Sequence, residues 1–196
     1  AYATHTQLER DHPELSGNAE LAAALVETAA AEQAAVKFVD DPQAAETSER
    51  PTPWVAALAT GNRRTGVGST SGGVYCASID GALYAFDVTD GKLLWRRYLG
   101  FGNSARPVVV GEHVLATDSK HQELLRLDAR TGRLIWRQSI GEPFAVPLAV
   151  GDRALVAAES GRLYVIDLGS GERLGYLQFG QPLKVTPVAN RAGDRH

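Results

Sequence analysis

Three aspartates recur at nearly equal spacing and are the first candidates for chemistry in this sequence. Each is followed four residues later by a glycine, and successive pairs lie 41 and 39 residues apart. A carboxylate at this place accepts hydrogen bonds from backbone N–H groups, and glycine supplies the positive φ of a tight turn. Because all three stand at the same place in a repeat, we interpret them as turn residues rather than catalytic acids. The pairs are Asp87 with Gly91, Asp128 with Gly132, and Asp167 with Gly171.

Other residue types capable of catalysis or ligand binding show no productive spacing. The five histidines lack the spacing of a metal site, and no Ser-His-Asp or paired-carboxylate arrangement is evident. The glycine-rich stretch 66–73 lacks the lysine of a P-loop and precedes a strand-like run, which favours a flexible inter-strand loop. Cys76 is the single cysteine, and its apolar neighbours predict a buried, inert thiol. The sequence therefore predicts no catalytic residue and no metal ligand.

Tandem repetition of about 40 residues is the feature that organises the chain. Beyond the Asp and Gly pairs, Trp95 and Trp136 coincide, and the third copy has Gly175 at that place. Each copy holds two hairpins of short apolar-rich strands, with turn signals every 8–12 residues. Four short strands repeated at this period are typical of a propeller blade. Proline also recurs at steps of 40, at Pro107, Pro147 and Pro187.

The pattern Gly-x-Leu-Tyr-x-x-Asp-x-x-x-Gly-x-x-x-Trp, complete from Gly81 to Trp95, resembles the PQQ-type propeller repeat. The second copy keeps the Asp, Gly and Trp, and the third loses the Trp. The resemblance covers roughly residues 54–190 and implies that each Trp packs against the neighbouring blade. WD-repeat propellers have a similar period, but no Gly-His or Trp-Asp pair stands at the expected places.

The predicted fold is mainly β, with about three four-stranded antiparallel blades and the first strand of a fourth behind an N-terminal helical leader. The leader is acidic: residues 1–50 hold ten acidic against three basic residues. We expect Ser16-Gly17-Asn18 to cap a helix from about 19 to 39. The innermost strands of the first and fourth blades are predicted at Trp54–Thr60 and Val185–Val188. The predicted divisions are an acidic helical leader 1–41, a Pro-rich linker 42–53, and a partial propeller 54–196 with blades at about 54–100, 104–141 and 144–180 and a fourth starting at 184.

Composition excludes several classes of protein. Apolar residues make up 44% and charged residues 22%, which is ordinary for a globular chain. No stretch approaches the ~18 apolar residues of a membrane span, so the chain is not expected to be transmembrane. Neither half is basic enough to indicate nucleic-acid binding. There is no methionine, even at position 1, which predicts a processed or excised piece. Three blades cannot close a ring of about 4–8, so we expect further blades elsewhere, association between chains, or an open arc of three blades. The first is favoured, because an open arc leaves strand edges exposed.

Function is predicted to be binding or scaffolding rather than catalysis. The loops entering the innermost strands are the candidate surface for a protein or peptide partner, although ordinary loop residues remain the alternative. The candidate side chains are Phe101, Arg106, Phe144 and Lys184.

Two other functions remain open. A piece of a PQQ-dependent dehydrogenase is one alternative, but Cys76 stands alone where those enzymes show an adjacent cysteine pair, and no haem-attachment motif occurs. A purely structural repeat domain is the other. No cofactor is expected in this chain; PQQ with calcium would apply only under the dehydrogenase alternative. The chain is similar to the propeller lipoprotein of the outer-membrane β-barrel assembly machinery, which implies a periplasmic or otherwise extracytoplasmic location and a protein partner, or the missing blades of the same propeller.

Overall fold

The computed structural model describes most of the chain, which divides into two compact units, Ala1–Phe38 and Val39–His196. These boundaries differ from the predicted division into leader, linker and propeller, which stays a prediction. The described residues are 7–8, 10–15, 17–49, 68–71, 73–79, 81–100 and 105–188.

In its described part, the N-terminal unit has helical residues at 7–8 and 10–11, a short 3-10 helix, Pro13–Leu15, and an α-helix, α1, at Ala19–Ala35. Asn18 caps α1, because its Oδ1 accepts hydrogen bonds from Glu20 N at 2.9 Å and Leu21 N at 3.1 Å. The prediction that the helix reaches residue 39 is wrong. The chain instead forms strand β1, Lys37–Gln43, at a point where valine and phenylalanine favour extended backbone.

The described part of the second unit forms three antiparallel sheets, which confirms the predicted blades. Blade 1 is made of β2 (Gly68–Ser71), β3 (Val74–Ile79), β4 (Ala82–Asp87) and β5 (Leu93–Tyr98). Blade 2 is made of β6 (Val108–Val110), β7 (His113–Asp118), β8 (Glu123–Asp128) and β9 (Leu134–Ser139). Blade 3 is made of β10 (Leu148–Val150), β11 (Arg153–Ala157), β12 (Arg162–Asp167) and β13 (Arg173–Gln178).

Each blade is a meander in which sequential strands pair, and the order of blade 3 is extended by β1 beyond β13. The first strands of neighbouring blades approach one another, β2 to β6 and β6 to β10. This places those strands at the inner edge and β5, β9 and β13 at the outer edge, as in a propeller.

Two predicted inner strands differ from the structure. The strand paired with β3 is Gly68–Ser71, part of the stretch predicted as a flexible loop, whereas 54–60 lies outside the described residues. Serine and threonine suffice there because backbone hydrogen bonds to β3 hold the strand. Residues 184–188 belong to no sheet, and Val185 and Val188 are 75% and 92% exposed. An inner strand forms by pairing with the second strand of its own blade. For a fourth blade, no such second strand lies among the described residues.

The apolar core lies between blades rather than within them. One cluster joins blades 1 and 2, and a second joins blades 2 and 3. Blade 2 therefore buries both faces, with Leu127 facing blade 1 and Leu124 facing blade 3. Burying one leucine side chain completely stabilises the folded chain by about 1.5–3 kcal/mol. Because the buried leucines lie between blades, most of the stabilisation comes from stacking one blade on the next.

A β-bulge recurs at the same place in the outer hairpin of every blade, after Ala85, Arg126 and Val165. A bulge adds one residue to a strand and lets two successive side chains face the same side. Accordingly Ile135 and Trp136, although adjacent in sequence, both pack on the core between blades 2 and 3. The bulge is thus what directs the tryptophan toward the next blade.

Candidate functional site

The loops that enter the inner strands share one end of the blades, which we call the mouth: residues 105–107, 119–122, 140–147 and 179–188. Strand direction fixes this. Because β6 starts and β7 ends at the same edge, the turn after β7 lies beside the loop before β6. The turns carrying the repeated aspartates, such as 128–133, lie at the opposite end.

The four predicted partner-binding residues have different environments. Arg106 and Lys184 are exposed, whereas Phe144 is half-buried and packs on the core between blades 2 and 3. Phe101 lies outside the described residues. Ala158 connects two of the loops. It forms a β-bridge with Phe144, and its carbonyl accepts a hydrogen bond at 3.3 Å from the amide of Leu183, which precedes Lys184. Among the described residues, no contact joins Arg106 to this pair.

Glu142 anchors the loop between blades 2 and 3. Its carboxylate accepts hydrogen bonds from Tyr164 Oη at 2.7 Å, Ser160 Oγ at 2.8 Å and Ser160 N at 2.9 Å. Burial raises the pKa of Glu142, but these hydrogen bonds outweigh burial and hold the pKa below its ordinary value. Sequence reasoning named this loop but missed the anchor, since nothing in the repeat marks Glu142.

A small open cleft with a cavity volume of about 90 Å³ lies at the mouth between blades 2 and 3. Its lining combines apolar Phe144 and Pro143 with the polar side chains of Thr117, Ser119 and Gln122. This is small for a drug-sized ligand, whose pockets span roughly 300–1,000 Å³, and it suits a single inserted side chain.

Asp118, His121 and Glu123 form a cluster at the mouth whose ligand atoms lie within 4.8 Å of one another. Asp118 Oδ1 accepts a hydrogen bond from His121 N at 3.0 Å, and its Oδ2 lies 2.7 Å from His121 Nδ1. Both contacts close the turn between β7 and β8. The cluster is therefore accounted for by the turn, and sequence reasoning did not identify it.

The repeated aspartates are occupied by their turns. Asp128 Oδ1 accepts from Arg130 N at 3.0 Å and from Thr131 N and Oγ1 at 2.8 Å. The hydrogen bond from the Thr131 side chain is the main cause that lowers the pKa of Asp128. Asp87 and Asp167 accept backbone N–H groups of their own turns in the same way, and each has a lowered pKa.

Each tryptophan of the repeat reaches the turn of the next blade. Trp95 Nε1 donates to the carbonyl of Ala129 at 2.8 Å, and Trp136 Nε1 donates to that of Leu168 at 2.9 Å. The ring lies against the glycine of that turn: a Cβ added at Gly132 would lie 2.6 Å from Trp95 Cδ2, and one added at Gly171 would lie 2.5 Å from Trp136 Cδ2. Tryptophan and glycine of the repeat are thus two halves of one inter-blade contact.

The one thiol is not placed for redox or nucleophilic chemistry. Cys76 is fully buried between blades 1 and 2, and burial raises the pKa of its thiol to about 11. No helix within the described residues is long and apolar enough to cross a membrane.

Comparison with known proteins gives one consistent family. Residues 32–195 match the family described as outer membrane protein assembly factor BamB. A curated relative of that name from Moranella endobia (strain PCIT) is 26% identical over 120 residues, covering 60% of this chain and 30% of the relative. One from Legionella pneumophila (strain Paris) is 39% identical over 115 residues, covering 58% and 29%.

A solved structure, BamB from Moraxella catarrhalis, superposes with a TM-score of 0.57 at 16% identity, covering 64% of this chain and 38% of that one. At this identity the likeness shows the fold alone. The chain therefore matches only about a third of the length of these proteins.

Proposed function

The chain belongs to the family described as outer membrane protein assembly factor BamB, and we propose that it is a non-enzymatic propeller segment that binds a protein or peptide partner during outer membrane protein assembly. Its setting is the periplasm or another extracytoplasmic compartment, by its relation to this family. Because the curated relatives are matched over no more than 30% of their length, the partner and the assembly role belong to the proposal.

One observation carries the proposal: the polar groups of the repeat are used by the architecture, while cationic and aromatic groups are displayed at the mouth. The repeated aspartates hold turns, and the indole N–H groups hold neighbouring blades together. Arg106 and Lys184 are exposed at the mouth, and Phe144 lines the cleft there. Arginine and aromatic residues are enriched at protein interfaces, and an extended unfolded segment would meet these side chains without a deep pocket.

The test is binding of a fluorescently labelled outer membrane β-barrel protein, kept unfolded by rapid dilution from urea. We expect the chain to bind it, and the double substitution Arg106→Glu with Lys184→Glu to weaken binding about tenfold, since each lost or reversed exposed contact is worth up to about 1 kcal/mol. The matched control is Arg133→Glu, the same charge reversal at an exposed site on the opposite end. The proposal would be refuted if the control variant lost as much affinity as the double variant, or if the unaltered chain did not bind the unfolded protein.

The dehydrogenase alternative is separated by a different readout. PQQ and calcium would be added to the chain with an artificial electron acceptor and an alcohol. Dye reduction that depends on both additions would favour the enzyme class. The described residues offer little for it, because the lone thiol is buried and the repeated carboxylates are engaged in turns. Failure in both assays would favour the purely structural alternative.

A further inference from the structure

Residues 39–49, which we call the rim strap, lie along the outer edges of all three blades. Strand β1 neighbours β13 of blade 3. Glu46 then forms an antiparallel bridge with Arg137 of β9 in blade 2, with the two amides donating to the opposite carbonyls at 2.8 and 2.7 Å. Glu49 contacts Arg97 of β5 in blade 1. Residues 42–49, predicted as part of a linker, are therefore bound to the blades.

The central contact is a buried arginine that depends on the strap. The Arg137 side chain is only 8% exposed. Its Nε donates to Glu46 Oε2 at 3.0 Å, Nη2 donates to the same oxygen, and Nη1 donates to the Ser48 carbonyl at 2.6 Å. Glu123 of β8 lies at the edge of the pairing distance, 4.0 Å. A buried guanidinium is costly unless its N–H groups are hydrogen-bonded. Glu123 supplies one carboxylate from within blade 2, and the strap supplies the hydrogen-bond acceptors, so we call this arginine site a socket that the strap fills.

Two flanking contacts repeat this arrangement. Arg97 donates to both carboxylate oxygens of Glu49, at 2.6 and 3.2 Å, and the Leu134 amide donates to Glu49 at 3.2 Å. The hydrogen bond from Arg97 is the main cause that lowers the pKa of Glu49. Arg173 donates to Asp41 at 2.8 Å. In each pair the arginine is the less exposed member and the strap carboxylate the more exposed one.

We propose that the outer rim of the blades is a binding surface for extended acidic peptide segments, which the rim strap occupies in cis and an acidic segment of a partner protein occupies in exchange. The recognised features are a backbone stretch that pairs with β9 and carboxylates spaced as in Glu46 and Glu49, three residues apart. This is the strand-addition mode of peptide recognition. The inference goes beyond the proposed function, because it concerns a surface distinct from the mouth.

Competition with the strap sets the design of the experiment. A tethered segment acts at an effective concentration in the millimolar range, so a free peptide binds measurably once the tethered copy is weakened. The variant Glu46→Gln with Glu49→Gln keeps the full chain and the arginine sockets but removes two strap charges. The matched control is Glu172→Gln, the same change at an exposed glutamate in the turn of blade 3.

The probe is the labelled peptide VDDPQAAETSE, which copies residues 39–49, measured by fluorescence anisotropy. Loss of two carboxylate contacts weakens the binding of the tethered strap to the rim about tenfold. We therefore expect the double variant to bind the free peptide roughly ten times more tightly than the unaltered chain does. Binding is expected to weaken with salt and to disappear for a peptide with Asn and Gln in place of every acidic residue. The control variant is expected to match the unaltered chain.

Hydrogen exchange of the double variant supplies the second measurement. Saturating peptide is expected to speed exchange of the backbone amide at position 46, because that amide is bonded to Arg137 only while the strap is in place. Absence of binding to the double variant, equal binding of the neutral peptide, or binding without faster exchange would each overturn the inference. Since the mouth variant Arg106→Glu with Lys184→Glu retains the rim, it is expected to bind this peptide normally, which separates this inference from the proposed function.

Discussion

Substituting Gly171 by alanine tests the contact between each tryptophan and the next blade. The φ of Gly171 is +76°, and an added Cβ would lie 2.5 Å from Trp136 Cδ2 and 2.7 Å from Ala45 Cβ. Gly91 occupies the same place in blade 1 with φ +71°, but a Cβ there meets no atom within 4 Å. The two glycines therefore have the same backbone conformation and differ in what lies beside them.

This difference fixes the expected magnitudes. Both substitutions place alanine in left-handed backbone, which costs roughly 1–2 kcal/mol. Gly171→Ala must also displace a fully buried tryptophan, and overpacking of this kind costs about 1–3 kcal/mol more. We expect Gly91→Ala to lower the free energy of unfolding by about 1 kcal/mol and Gly171→Ala by roughly 2–5 kcal/mol.

Urea unfolding followed by tryptophan fluorescence measures both variants. A second comparison places Gly171→Ala in a Trp136→Leu background, where the smaller side chain relieves the clash and the added penalty should shrink toward that of Gly91→Ala. If the two glycine variants were equally stable within about 0.5 kcal/mol, or if Trp136→Leu left the penalty unchanged, the inter-blade contact would not be the reason for glycine at this position.

Two further predictions concern titratable groups. The pKa of Glu142 in the folded chain is lowered from 4.5, so the contribution of this carboxylate to stability is present above the unfolded pKa and is lost as pH falls through the folded pKa. The difference in unfolding free energy between the unaltered chain and Glu142→Gln should therefore be greatest near neutral pH and vanish in acid. A difference that does not depend on pH would contradict the anchoring role. Cys76, with a thiol pKa of about 11, should react with a thiol reagent at pH 8 only as fast as the chain opens, so its rate should rise steeply with urea; rapid labelling without urea would contradict its burial.

The repeat could be predicted because it is local. The turn aspartates, the glycines and the alternating apolar runs each specify a hairpin within about 20 residues, and their recurrence specifies the stacking of blades. Strand β2 escaped prediction because its Gly-Ser-Thr-Ser sequence carries no apolar pattern. Its position is determined by pairing with β3, which is information outside the segment itself.

The rim strap could not be predicted for a related reason. Its sequence is polar and contains proline, which are the ordinary signals of a linker. Its contacts join residues more than 80 positions apart, such as Glu46 and Arg137, and no sequence period connects them. The sequence gives no sign that the Arg137 side chain is buried.

The tryptophan contact and the rim strap converge at one residue, and this links stability to the proposed exchange at the rim. A Cβ at Gly171 would touch both Trp136 and Ala45 of the strap, and Ala45 packs on the core between blades 2 and 3. The indole is therefore covered by the strap on one side and held to Leu168 by its N–H. A partner segment that replaces the strap must cover the same ring with a small residue one position before the acidic residue that pairs with Arg137, as Ala45 does before Glu46. Charge alone therefore does not define the rim ligand. An acidic segment with a bulky residue at the position of Ala45 would clash with Trp136 and Gly171 and would not bind.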